Sequence, residues 1–115
     1  MASNPLPNYL RAHRKRAALS QDDVAFLLGK RGGEKVCRHE LFSHNPDLET
    51  LLAYAVIFQK PAEELFTGLF RQIRREVLVR VRVLAHKTKR QRPGPMRNRK
   101  MELLLALITK LSNKK

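Results

Sequence analysis

A chain of 115 residues with one cysteine and a formal net charge of +14 has room for one small domain and an appendage. It has no internal disulfide framework and is too short for most two-domain enzymes. Hydrophobic residues make up 43% and aromatics 6%, with no Trp, so the core must come mainly from Leu, Val, Ala and Phe, and the surplus of cations points to an anionic partner, nucleic acid before acidic membrane.

The charge is unevenly spread. Residues 1–70 carry nine Lys or Arg against eight acids, a balance of +1, whereas residues 71–115 carry fifteen against Glu76 and Glu102 alone, a balance of +13. The sequence therefore predicts a loose segment over 1–7, a folded unit over 8–70 and a basic helical extension over 71–115. No internal repeat is visible.

In chain order, Asn8 is placed to cap a first helix running to about Ala17, with Leu10 and Ala17 inward and Arg11, Lys15 and Arg16 outward. Ser20 is a good N-cap for a second helix, Asp23 three residues on completes a capping box, and Asp22 and Asp23 suit the positive end of the helix dipole. Val24, Ala25, Leu27 and Leu28 follow as its apolar face, and Gly29 stops it. Lys30-Arg31-Gly32-Gly33 reads as a tight connection to a third helix, from Gly33 or Glu34 to Leu41, with Val36 inward. Asn45-Pro46-Asp47 is a turn, and Asp47 caps a fourth helix on which Leu48, Leu51, Leu52, Ala55 and Phe58 recur at helical spacing. Pro61 fits the first turn of a fifth helix, with Glu63 and Glu64 near its start and Leu65, Phe66 and Leu69 as its apolar face.

The stretch that follows reads two ways. As a helix over about 69–86 it aligns Leu69, Ile73, Val77, Val81 and Leu84; as a strand it alternates Val77, Val79, Val81 and Val83 with Leu78, Arg80, Arg82 and Leu84. The β-branched content favours a strand, but no other segment offers a pairing partner, so the reading is a helix. Pro93-Gly94-Pro95 predicts a disordered, phosphate-attracting linker over 87–100, before a short helix over about 101–112 with Met101, Leu104, Ile108 and Leu111 on one side.

The longest apolar run, 103–108, is too short to cross a bilayer, and the N-terminal stretch lacks the apolar segment of a signal peptide. Together with the single cysteine, these features predict a soluble cytoplasmic protein without a membrane partner, and the cationic surplus makes it a nucleoid-associated one.

Four or five short helices with an abrupt Gly-containing turn between the second and third suggest a helix-turn-helix. The ordered set LSQDDVAFLLG, VCRHE and NPDLETLLAYAVIFQKPAEELF, from Leu19 to Phe66, resembles the lambda-repressor-like (Cro/CI-type), or XRE, family of helix-turn-helix proteins. The resemblance spans about residues 8–68. It implies an all-α, five-helix domain whose third helix enters the major groove of duplex DNA. Gly32, Gly33, Glu34 and Arg38 fall where that family touches bases, with Lys35 beside them. Gln21 falls where the family grips a phosphate, and Ser43 and His44 where it often touches the backbone. Arg14 and Glu40 match a pair that forms an inter-helix salt bridge in several members. The turn KRGG is one residue longer than usual and lacks the usual apolar residue after Gly29, and its two adjacent glycines leave little side chain to read bases, so base reading rests mainly on Glu34, Lys35 and Arg38.

Other chemistries find little purchase. Cys37 and His39 form a C-x-H pair without the further ligands that zinc needs, so no metal or cofactor is expected. No spacing brings a nucleophile to a base, and Gly32-Gly33 does not match a phosphate-binding loop, so no enzyme is expected. Three functions fit the chain. The first is a sequence-specific duplex-DNA-binding transcriptional regulator, acting as a homodimer that pairs through Ile73, Val77, Val81, Leu84, Leu104, Ile108 and Leu111. The second is an architectural, non-specific nucleic-acid binder driven by the basic tail. The third is an antitoxin-like module with a protein partner.

Overall fold

The computed structural model describes residues 8–41 and 44–112. Among these the chain is all helical, with no strand: α1 (Leu10–Arg16), α2 (Gln21–Leu27), α3 (Glu34–Glu40), α4 (Leu48–Phe58), α5 (Ala62–Leu65), α6 (Thr67–Lys89) and α7 (Pro95–Ser112). The chain divides into two compact units, 1–70 and 71–115, with the boundary inside α6.

Local chemistry sets the ends of the elements in the first unit. The Asn8 side chain accepts from the Leu10 amide at 3.1 Å, so α1 starts one residue later than a cap at Asn8 would place it. Ser20 and Asp23 form the capping box in both directions, at 2.9 Å each. Gly29 ends α2 at φ 77°, and Asp47 caps α4 by accepting from the Thr50 amide at 2.9 Å. Both carboxylates, Asp23 and Asp47, are held below the usual carboxylate range by these hydrogen bonds.

The core of this unit joins Leu10, Val24, Ala25, Val36, Tyr54, Leu65 and Phe66, with Leu19, Leu28, Leu51, Ala55, Phe58 and Leu69 packed around it. Four inward assignments are corrected. Ala17 is exposed, and Arg14 is the residue of α1 that turns inward beside Leu10. Leu27 is exposed on α2. On α4, Leu48 and Leu52 are exposed, while Thr50 and Tyr54 are buried and Leu51, Ala55 and Phe58 pack beside them. The face is the one centred on Tyr54, whose ring is 6.2 Å from Phe66 and 6.3 Å from Phe58. An aromatic ring buries more area than either leucine, and its hydroxyl finds a partner in His39 at 2.8 Å, which makes the burial tolerable.

The second unit is a helical hairpin. Val81, Ala85 and Leu104 are buried together, flanked by Met101, Leu107 and Ile108. The expected linker over 87–100 is corrected, because 87–89 belong to α6 and Pro95 opens α7, leaving 90–94 as the connection. Proline at the first helical position lacks only an amide that would have no partner there, so Pro93-Gly94-Pro95 marks a turn and not a disordered arm. The inner stripe of α6 also differs from the expected one. It runs through Val81, Ala85 and Thr88, while Ile73, Val77 and Leu84 are 44%, 38% and 41% exposed. Val81 and Leu104, expected at a dimer seam, are thus buried within the hairpin. Three arginines clasp the hairpin. Arg97 donates to the Thr88 and Lys89 carbonyls at 3.3 and 3.1 Å, Arg74 to the Lys110 carbonyl at 3.0 Å, and Arg82 to the Ser112 hydroxyl at 3.2 Å. Guanidinium groups at the carbonyl ends of helices satisfy otherwise unpaired acceptors and oppose the negative end of the dipole.

Candidate nucleic-acid interface

The candidate surface is built on α3, which is seven residues long and packs against α1 and α2. Its inner side is Val36, His39 and Glu40, all buried; its outer side is Glu34, Lys35 and Arg38, all exposed. A helix this short is not stable by itself, so its position depends on what holds the inner side.

Three attachments hold it. The first is the ion pair of Arg14 and Glu40, where Arg14 Nε donates to Oε2 at 2.5 Å and a second guanidinium nitrogen donates to Oε1 at 3.1 Å. The two side chains are 11% and 3% exposed. Arg14 also donates to the Leu19 carbonyl at 3.0 Å, tying the α1–α2 turn to the same pair. Hydrogen bonding to Glu40 raises the Arg14 pKa further above its ordinary value, so the guanidinium stays charged in its buried site.

The second attachment is at Gly33, just before α3. A Cβ there would lie 2.7 Å from Gln21 Cβ and 2.8 Å from the Gln21 carbonyl carbon, so the α2 and α3 starts approach within a distance that only glycine permits. The Gly33 amide donates to Asp22 Oδ1 at 2.7 Å. Gly33 is therefore a buried packing residue whose amide is already taken, which corrects its assignment to base contact. Gly32, beside it, is exposed at φ 65° and shapes the turn.

The third attachment is His39. Its Nδ1 lies 2.8 Å from the Tyr54 hydroxyl, the two rings meet edge to face at 5.6 Å, and its backbone carbonyl accepts from the Asn8 side chain at 3.0 Å. Burial depresses the His39 pKa, and His44, Lys30 and Lys35 push it the same way against a weaker pull from Asp47. Burial and the Glu40 charge raise the Tyr54 pKa, so the phenol keeps its proton in this contact.

On the outer side, Arg38 donates to Glu34 at 3.1 Å, an exposed pair one helical turn apart. Such a pair is worth about 0.3–0.5 kcal/mol and is easily exchanged for another acceptor. Beside it opens a cleft of about 370 Å³ whose lining includes Lys30, Lys35, Arg38, His39 and His44, with Asp47 as its one acidic lining residue among those described. Its cationic rim suits an anion, and its mouth is open to solvent.

Of the expected contact residues, Lys35, Arg38 and His44 thus come together at one cleft, with Glu34 paired to Arg38. Gln21 is half-buried, and its side-chain amide donates to Glu40 Oε1 at 3.2 Å, placing it in the Arg14–Glu40 network on the inner side of α3. A phosphate contact by Gln21 would have to replace that bond. Ser43 lies outside the described residues. Lys30 was not singled out from sequence, although a cation at the start of the KRGG turn was a signal for it. Among the described residues no group of His, Cys, Asp and Glu could hold a metal ion, and no helix is long and apolar enough to cross a membrane. Comparison with family models, curated proteins and solved structures finds no match to this chain.

Proposed function

We propose that this chain binds duplex DNA sequence-specifically, with α3 in the major groove, and serves as a transcriptional regulator of the lambda-repressor-like helix-turn-helix type. The observation that carries the reading is the two-sided character of α3. Its inner side is fixed by Val36, His39 and a buried ion pair, and its outer side presents Lys35 and Arg38 beside a cationic cleft. A short helix so held and so charged suits base edges in the groove. Arg38 donates to a guanine edge, Glu34 accepts from a cytosine amino group once released from Arg38, and Lys30, Lys35 and His44 sit toward the phosphates. A homodimer belongs to this reading, with the exposed Ile73, Val77 and Leu84 and the half-buried Ile108 and Leu111 available to a second copy.

Selection from a random duplex library at physiological salt tests the proposal. The expected result is an inverted pair of motifs about one helical turn apart. On that site Arg38→Ala should weaken binding by about 1–3 kcal/mol and relax the preference at one position of each half-site. A bound pool without a motif would defeat the proposal. So would an Arg38→Ala protein with the preference of the parent.

A further inference from the structure

We infer that the turn end of the α6–α7 hairpin is a second nucleic-acid-binding surface, one that seats on the phosphate backbone of duplex DNA without reading its sequence. Seven cations fall within 87–100, and no acid occurs between Glu76 and Glu102. The segment is helix or a five-residue connection, so the charges are fixed in place. Arg97 is committed to the Thr88 and Lys89 carbonyls, closing the end of α6. Lys87, Lys89, Arg90, Arg92 and Arg99 are exposed, and none has a carboxylate partner among the described residues.

Holding this many like charges on a folded hairpin costs self-repulsion, which a disordered tail would relieve by spreading out. No acid within 77–101 offsets the cost, so a polyanion that supplies the counter-charge is favoured there. The chemistry of the surface selects among polyanions. Residues 71–115 contain no Phe, Tyr or Trp, so there is no platform on which the unstacked bases of a single strand can lie. Apart from the two prolines, Met96 is the single apolar side chain within 87–100, too little to anchor in a lipid interface. A duplex backbone asks for neither stacking nor insertion, only for several cations held together.

The inference does not depend on α3 reading bases, and its test separates the two. In the full chain, the tip variant Lys89→Gln, Arg90→Gln, Arg92→Gln is compared with the shaft variant Arg71→Gln, Arg75→Gln, Arg80→Gln, which has the same net charge. Binding to a short random-sequence duplex is followed by fluorescence anisotropy between about 50 and 200 mM salt. The tip variant should flatten the slope of log K against log salt by about 2–3, at roughly 0.9 per phosphate, while the shaft variant changes it by less than about 1. Circular dichroism checks helix content. If the tip variant loses helix, the pair Arg92→Gln, Arg99→Gln should still flatten the slope by about 1–2. Equal effects of tip and shaft would overturn the inference, as would an unchanged slope. Vesicles of phosphatidylcholine with one-third phosphatidylglycerol form the other arm. Sedimentation with vesicles that is lost in the tip variant, alongside an unchanged duplex slope, would assign the tip to membranes and overturn the inference. If Arg38→Ala abolishes site preference while the tip variant leaves the slope unchanged, the inference fails and the base-reading proposal stands. The reverse pattern sinks base reading alone.

Discussion

Gly33 has an ordinary backbone angle, φ −88°, so its need for glycine is a matter of space alone. The obstructing Gln21 carbonyl carbon at 2.8 Å belongs to the backbone and cannot turn aside. Gly33→Ala should therefore cost about 1–3 kcal/mol, read as a lower urea midpoint with an unchanged slope. Glu40→Gln tests the ion pair by leaving the Arg14 guanidinium buried without a counter-charge. The expected loss is about 3–5 kcal/mol, a large share of the 5–15 kcal/mol typical of a domain. Adding Arg14→Met should recover part of that loss, because the stranded charge is removed with its partner. His39 gives the pH dependence. Its folded pKa lies below the unfolded value, so the unfolded chain takes up the proton first as pH falls. The contribution of neutral His39 is complete above about pH 6.5 and declines below it, down to the depressed folded value. Denaturant melts between about pH 7 and 5 should show that loss, and His39→Gln should lack it. The contributions of Asp23 and Asp47 have the same sign but fade only below about pH 4.

At the scale of elements, the starts of α2 and α4 were legible because they are local. Ser20, Asp23 and Asp47 cap helices through amides within three residues of themselves, and no distant residue is needed. Which face a helix buries is not local. On α4 the leucines at 48, 51 and 52 and the aromatics at 54 and 58 offer apolar faces that overlap, and only the position of Phe66, Leu65 and His39 selects the one through Tyr54. On α6 the stripe from Ile73 to Leu84 is the more hydrophobic by composition. The buried one is Val81, Ala85 and Thr88, of which Val81 and Ala85 cluster with Leu104 of α7. That choice leaves the Thr88 hydroxyl buried without a hydrogen-bond partner among the described residues. Thr88→Val keeps the volume and removes the orphan, so it should stabilise the hairpin by about 1 kcal/mol. Slower amide hydrogen exchange in α6 and α7 would report it; faster exchange would show that the hydroxyl has a partner after all.

For the whole molecule, charge divides the work as it divides the chain. The nearly neutral unit builds a core and orients one charged helix, and the basic unit carries fifteen cations against Glu76 and Glu102 alone. Under the proposed function the first supplies discrimination and the second supplies affinity that falls steeply with salt. Specificity measured at low salt would therefore be understated, because the basic unit holds all sequences alike.

The sequence alone determined the starts of α2 and α4, the stop at Gly29, the break around Pro93 to Pro95 and the split in charge. Each is set by side chains acting on their own backbone or by a sum over residues. Tertiary structure alone decided that Gly33 is a spacer, that Gln21 joins the Arg14–Glu40 network, that Tyr54 centres the core and that 71–115 folds back on itself. These depend on distances between segments far apart in the chain, and spacing along one helix carries no record of what packs against it.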